Sequence, residues 1–186
     1  YSYKGRYFIE GNFGYNGSEN FSKGNKWGFF PSVSAAWVIS EEKFMKRLPV
    51  IDNLKFRIGY GLAGNQSGID SYTTLSLVKP NGVIPVGNSA AVSLGDLRNT
   101  NPDLKWETTK QTDIGIDLSV LGGRISLVAD YYYKKTVDLH YDKILPYYTG
   151  YSSQTQNIGS KSNKGWEFSL NTQNLVGDFK WSTSLN

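Results

Sequence analysis

The sequence predicts an all-β chain: an antiparallel up-and-down segment of a transmembrane β-barrel, about seven strands of a larger barrel. Three observations predict it. Stretch after stretch alternates apolar and polar residues at period two. The connections between these stretches alternate between long and short. Aromatic residues make up 15% of the chain and gather near the ends of the alternating stretches.

The first strand is expected from Arg6 to Asn16. Tyr7, Ile9, Phe13 and Tyr15 share one face and Glu10, Asn12 and Gly14 the other, with Phe8 out of phase. The second, Phe30 to Ser40, sets Val33, Ala35, Trp37 and Ile39 against Ser32, Ser34 and Ser40. The third is the cleanest, with Leu54, Phe56, Ile58, Tyr60 and Leu62 against Lys55, Arg57, Gly59 and Gly61. The fourth, Lys105 to Val120, opposes Ile114, Ile116, Leu118 and Val120 to Gln111, Asp113, Asp117 and Ser119. The fifth begins at Arg124 and keeps Ile125, Leu127, Ala129, Tyr131 and Tyr133 in phase. The sixth sets Trp166, Phe168 and Leu170 against Glu167, Ser169 and Asn171, and the seventh starts with Phe179, Trp181 and Leu185. A strand with two unlike faces produces this period because successive side chains point to opposite sides.

One hairpin fixes its own register. Gly122-Gly123 is a two-residue turn signal, since both central positions of the preferred turn need positive φ. Leu121 is then expected to pair with Arg124. That puts Leu118 opposite Leu127, Ile116 opposite Ala129 and Ile114 opposite Tyr131. On the other face Asp117 meets Val128, Gly115 meets Asp130 and Gln111 meets Lys134. A slip of one residue would mix the faces.

Connections Gly17–Gly28, Gln66–Leu104 and Tyr141–Asn163 are long, whereas Gly122-Gly123 and Val176–Asp178 are short. Short turns at one end and long loops at the other are the habit of membrane barrels. Glu41 to Ile51 is intermediate, and Glu41, Phe44, Met45 and Leu48 suit one short amphipathic helical turn. Trp27, Phe29, Phe30, Trp106 and Trp166 fall near the long-loop ends, Trp37 and Trp181 near the short-turn ends. Rings with a polar tip favour the headgroup level, so two girdles are expected.

Composition narrows the function. The absence of Cys excludes a disulfide scaffold, a thiolate metal site and a cysteine nucleophile. The net charge of +4 comes from scattered cations, with no basic run longer than Lys134-Lys135, so no nucleic-acid partner is expected. No apolar run is long enough for a membrane helix. The chain opens inside strand-like text with no leader pattern and stops just after a new strand begins, as expected of an internal piece of a longer protein.

Several blocks resemble the SusC/RagA-type TonB-dependent outer-membrane transporters. They are Arg6–Phe13, Lys26–Trp37 with the following Ile39-Ser-Glu-Glu, Asn53–Gln66, Asn101-Pro-Asp-Leu-Lys-Trp-Glu-Thr-Thr109, Asp130–Leu139, Asn157-Ile-Gly159 and Asn163-Lys-Gly-Trp-Glu167. They run in family order through nearly the whole chain. The resemblance implies that residues 1–186 are part of one receptor β-barrel domain, with the plug, the TonB box and the signal peptide elsewhere. Such barrels have roughly 22 strands around a plugged lumen. It further implies a bacterial outer-membrane location and active import of oligosaccharides or peptides. The implied partners are a SusD-like surface lipoprotein, the TonB complex and outer-membrane lipid.

Other motifs carry little. Gly59-x-Gly61-x-x-Gly64 matches a dinucleotide fingerprint by letters, but that motif must open a helix and here Asn65-Gln-Ser-Gly follows. His140 is the only histidine; with no second His and no Cys it is expected to be a solvated loop-edge side chain, not a catalytic or metal group. Asp113, Asp117 and Asp130 are expected on one face as the polar lining of a wet lumen. No cofactor, metal or catalytic role is expected. Pro146-Tyr-Tyr-Thr-Gly-Tyr151 is the candidate for ligand contact, through Tyr147, Tyr148 and Tyr151. A tyrosine has an apolar face to stack on a sugar ring and a polar tip for its hydroxyls. The competing role for these three residues is packing against a neighbouring loop or the partner lipoprotein. The rival functions are a passive porin and a soluble β-rich adhesin or carbohydrate-binding module, the latter needing a second sheet over its apolar face.

Overall fold

The computed structural model describes residues 1–71, 73–96 and 98–186. Twelve strands appear in chain order: β1 Ser2–Tyr3, β2 Tyr7–Gly17, β3 Trp27–Val38, β4 Ile51–Asn65, β5 Val78–Val86, β6 Ser89–Asp96, β7 Glu107–Val120, β8 Ile125–Val137, β9 His140–Ile144, β10 Ser153–Asn157, β11 Ser160–Val176 and β12 Lys180–Leu185. Eight form one open antiparallel sheet in the order β1-β2-β3-β4-β7-β8-β11-β12. The expected seven strands are all in it, and the two-residue β1 adds an eighth at the edge through a turn at Lys4 and Gly5, both with positive φ. β5–β6 and β9–β10 form two separate hairpins inside the long connections, where only loops were expected.

The register explains the alternation. Tyr7, Trp37, Phe56, Ile116, Ala129 and Phe168 form one continuous row across six strands. Ile9, Ala35, Ile58, Ile114, Tyr131 and Trp166 form the next. A third joins Leu54, Leu118, Leu127, Leu170 and Leu185. This face collects most of the apolar residues of the wall strands, with Phe8, Phe30, Val38 and Val128 on the other side, and it is left open: Phe13 is 79% exposed, Ile116 46% and Phe168 56%. Among the described residues the buried apolar side chains are Phe21, Ile69 and Leu104, all in the long connections and none in the sheet.

The tight turn has the predicted register, with Val120 opposite Ile125 and Leu118 opposite Leu127. Gly122 and Gly123 have φ of 65° and 78°, and Leu121 shares the left-handed region at 60°. Two neighbours hold the turn. The Asp52 carboxylate accepts the Gly123 amide at 2.9 Å, and the Arg124 guanidinium donates to the carbonyls of Gln173 and Asn174 at a bulge in β11.

Two short 3-10 turns, Ile39–Glu41 and Met45–Arg47, lie between β3 and β4 in place of the one amphipathic turn expected at Glu41 to Ile51, and the first takes Ile39 and Ser40 out of the expected second strand. Phe44 and Leu48 are exposed, so the turn has no buried side to stabilise it. Trp27, Trp37, Trp166 and Trp181 lie exposed on the apolar face. Trp106 departs from the expected girdle. It turns inward onto Phe21 and Phe30 and donates its indole N–H to the Lys26 carbonyl at 3.2 Å.

Candidate functional site

The polar face carries a charged network that the sequence showed only in part. Arg57, Gly115, Asp130 and Glu167 lie in one row across β4, β7, β8 and β11. Arg57 clamps Asp117, from the neighbouring row, with Nε and Nη2 at 2.7–3.1 Å, and Nη2 continues to Asp130 at 2.9 Å. The guanidinium passes over Gly115. A Cβ there would collide with the Asp130 carboxylate and lie 2.7 Å from Arg57, so only glycine leaves the passage open. Asp117 and Asp130 thus have a specific cation in place of simple solvation. Asp113 shares the face and accepts a hydrogen bond from Gln111 at 3.0 Å. The same face forms a shallow trough lined by Glu10, Ser34, Lys55, Arg57, Gly59 and Asp113. Gly59 and Gly61 sit within β4, away from any helix start, so the dinucleotide fingerprint has no structural basis.

Arg57→Leu is expected to strip Asp117 and Asp130 of the cation that bridges them, leaving Lys55 across from Asp117 and Glu167 directly across from Asp130. The group is partly exposed, so the cost is about 1–3 kcal/mol. A lower temperature for loss of heat-modifiable mobility measures it, and adding Asp117→Asn should recover most of the loss. Equal transitions in Arg57→Leu and the parent would show that the network adds nothing to stability.

At the short-turn end Glu42 gathers three partners: Tyr7 Oη at 2.5 Å, Trp37 Nε1 at 3.3 Å and Arg6 Nη1 at 3.3 Å. Its carboxyl is held below the ordinary range, first by the Tyr7 hydrogen bond, then by the Trp37 hydrogen bond and the Arg6 charge. Tyr7 and Trp37 stack 6.4 Å apart, so Glu42 aligns two girdle rings by their polar tips.

At the long-loop end the 99–107 stretch binds the other loops together. Leu104 is fully buried beside Phe21 and Ile69. Asn101 donates to the Thr155 carbonyl, and Gln154 donates to Asn99 and to the Thr100 carbonyl. The Asn157 amide accepts from the Lys105 N–H and donates to the carbonyls of Lys105 and Asp138. Glu107 accepts from Asn65 and from the His140 backbone, each at 2.7 Å. His140 is not solvated as expected: its side chain is 5% exposed, with Nε2 2.7 Å from the Lys105 carbonyl. Four segments distant in sequence meet around it, and no local pattern announces that.

β9–β10 continues the β8–β11 hairpin beyond a paired kink, Asp138 at φ 59° and Gly159 at φ 87°. Its tip carries the candidate contact residues. Tyr147 and Tyr148 are 103% and 89% exposed. Tyr151 is half-buried and donates its hydroxyl to Asp96 of β6 at 2.7 Å. That hydrogen bond, more than burial, pushes the Tyr151 phenol above its usual value. Tyr147 and Tyr148 therefore face outward together, and Tyr151 ties one hairpin to the other.

The family model of the TonB-dependent receptor-like β-barrel matches residues 1–186. The chain belongs to the TonB-dependent receptor β-barrel family. It is 46% identical over 187 residues to TonB-dependent receptor P26 of Formosa agariphila, covering all of this chain and 19% of that protein. It is 39% identical over 191 residues to TonB-dependent receptor SusC of Bacteroides thetaiotaomicron, again covering 100% and 19%. The RagAB peptide importer in its open-open state superposes with a TM-score of 0.86 at 28% identity, over 98% of this chain and 20% of that one. The chain thus spans about a fifth of the length of the relatives it matches.

Within the family the chain is SusC-like, and its sheet is a stretch of outer-membrane barrel wall. The uncovered apolar face is the lipid face, and the Arg57 network faces the lumen. The relatives are receptors and transporters, not enzymes.

Proposed function

We propose that the receptor to which this wall belongs imports oligosaccharides or peptides actively across the outer membrane, powered through TonB and working with a SusD-like surface lipoprotein. All 186 residues belong to one barrel domain in this reading, with the plug and TonB box elsewhere in the protein. One observation carries it: an open antiparallel sheet whose one face is an exposed apolar surface while the other carries a charged network. Likeness in sequence to SusC and in fold to the RagAB peptide importer supports importer over passive porin. The chain contributes wall and outer loops and no catalysis. Uptake by cells producing the complete receptor should stop when TonB is deleted, and the purified receptor should not swell liposomes. Uptake that persists without TonB, with swelling, would make the protein a porin.

Tyr147 and Tyr148 contact ligand or the partner lipoprotein in this reading, supported by their outward exposure at the tip of β9–β10. Tyr147→Ala with Tyr148→Ala should weaken ligand or lipoprotein binding by roughly tenfold or more, within the usual range for exposed aromatic anchors. Tyr151→Phe should loosen the link to Asp96 and change binding little. Titration calorimetry with purified lipoprotein and with glycan or peptide mixtures separates the two partners. Undiminished binding of both by the double variant would retire the proposal for these residues.

A further inference from the structure

The buried ring of His140 has one nitrogen that is satisfied and one that is not. Nε2 lies 2.7 Å from the Lys105 carbonyl, which can only accept, so Nε2 carries a hydrogen. Nδ1 is inaccessible to solvent and has no hydrogen-bond partner among the described residues. The nearest acidic atom is Glu107 Oε1, at 3.5 Å. In the neutral ring Nδ1 is a second acceptor beside that oxygen, and the two make no hydrogen bond. Protonation puts an N–H donor on Nδ1, within 3.5 Å of a carboxylate oxygen that already accepts the His140 backbone N–H at 2.7 Å. Buried donors and acceptors left unpaired are rare in native proteins, and a functional role is one reason for such an atom to persist.

We infer that His140 and Glu107 form a proton-operated latch that tightens the β9–β10 hairpin onto the barrel rim when the outside turns mildly acidic. The geometry supplies each part. Glu107 is the first residue of β7, so it belongs to the rim, and Asn65 of β4 steadies its other oxygen. His140 is the first residue of β9, so it belongs to the hairpin. The ring packs on Phe21, which rests on Trp106, so it has little room to turn away. A cleft lined by Ser67, Glu107, His140, Asp142 and Thr155 opens beside the pair.

The other charges nearby are already engaged. Lys105 Nζ pairs with Asp138 at 3.1 Å, and Asp142 accepts the Thr155 hydroxyl at 2.6 Å. Tyr141 lies on the same strand and is exposed. The remaining neighbours, Asn65, Phe21 and Trp106, are neutral. Glu107 is thus the carboxylate that meets a new N–H on His140. Histidine is the side chain whose ordinary titration falls between pH 5 and 8. The sign follows from which form gains the contact. Protonated imidazole gains a charge-assisted hydrogen bond, so the extra hold on the hairpin is present at low pH and is lost as pH rises.

The test uses the complete receptor in detergent micelles, with amide hydrogen exchange read for residues 140–157 at pH 5.5 and 8.0. Rates are first divided by the intrinsic exchange rates at each pH. Protection of the hairpin should rise roughly threefold to tenfold on acidification, the gain of one long charge-assisted hydrogen bond. His140→Gln keeps a donor for the Lys105 carbonyl but cannot titrate, and should give a flat profile. Glu107→Gln keeps the size and removes the charge, and should flatten it independently. The β11 amides of the wall serve as an internal reference and should not respond. A pH response retained in both variants, or a parent profile that is flat or reversed, would overturn the latch. Either variant alone decides the matter if the other fails to assemble. The result does not depend on the imported substrate or on TonB, so it stands or falls apart from the import reading.

Discussion

Ile116→Arg lowers the yield of folded receptor in outer membranes, whereas Ser169→Arg leaves it near the parent level. Ile116 lies in a continuous apolar row from Tyr7 to Phe168, with Phe56 and Ala129 as its immediate neighbours. A cation there must be drawn into hydrocarbon, at a cost that reaches about 2–4 kcal/mol at the middle of the bilayer and falls toward either interface. Ser169 pairs with Val128 on the opposite face, beside the row that carries Asp130 and Glu167. A cation there enters a wet, acid-bearing surface and costs little. Heat-modifiable mobility of the complete barrel reads both variants in one gel. Matching defects in the two would remove the lipid assignment of the apolar face.

Expressed without the rest of its barrel, the 186-residue chain does not stay monomeric in water. A barrel removes its edges only by closing, and this sheet ends in β1 and β12 with an unpaired ladder on each. Its apolar face has no second layer. Phe13, Val33, Trp166, Phe168 and Trp181 are each more than half exposed. Soluble monomers usually tolerate a few hundred Å² of contiguous apolar patch, and eight strands of lipid face exceed that. Size-exclusion chromatography with light scattering in detergent-free buffer should show aggregates, and detergent should disperse them. A stable monomer with a cooperative melt would mean that the chain covers its own apolar face, as a soluble β-module does.

What the sequence revealed and what it concealed follow from the range of the forces involved. The wall strands were legible because lipid on one side and a polar lumen on the other impose a strict period of two. The β7–β8 register was legible because Gly122-Gly123 sets it locally. β5–β6 was not, because Val83 and Ile84 are adjacent and lie on opposite faces. An apolar residue on each face erases the alternation, and Pro80, Gly82, Pro85 and Gly87 look like breakers. Among the candidate site residues, the carboxylates of the lumen face were visible but their cation was not. Arg57 meets them only through the β4–β7 pairing, 60 residues away for Asp117 and 73 for Asp130. Trp106 and His140 were misplaced for the same reason. Each is covered by loops that are distant in sequence and meet only in the fold.

The paired kink at Asp138 and Gly159 also bears on how this receptor can vary. β9–β10 inherits its register from β8–β11, since Ile158 donates to the Leu139 carbonyl at 2.7 Å directly across the bend. One residue added to either side of the hairpin would turn its faces over and break the ties of Thr155, Gln154 and Asn157 to the 99–107 stretch. Residues added at Tyr147–Thr149 would disturb none of these, because that turn lies beyond the last pair, Ser153 with Ile144. The hairpin is thus a fixed stalk with a replaceable head. New binding sequences can be grafted at the tip without re-solving the wall, and lengthening the stalk requires residues inserted in matched pairs.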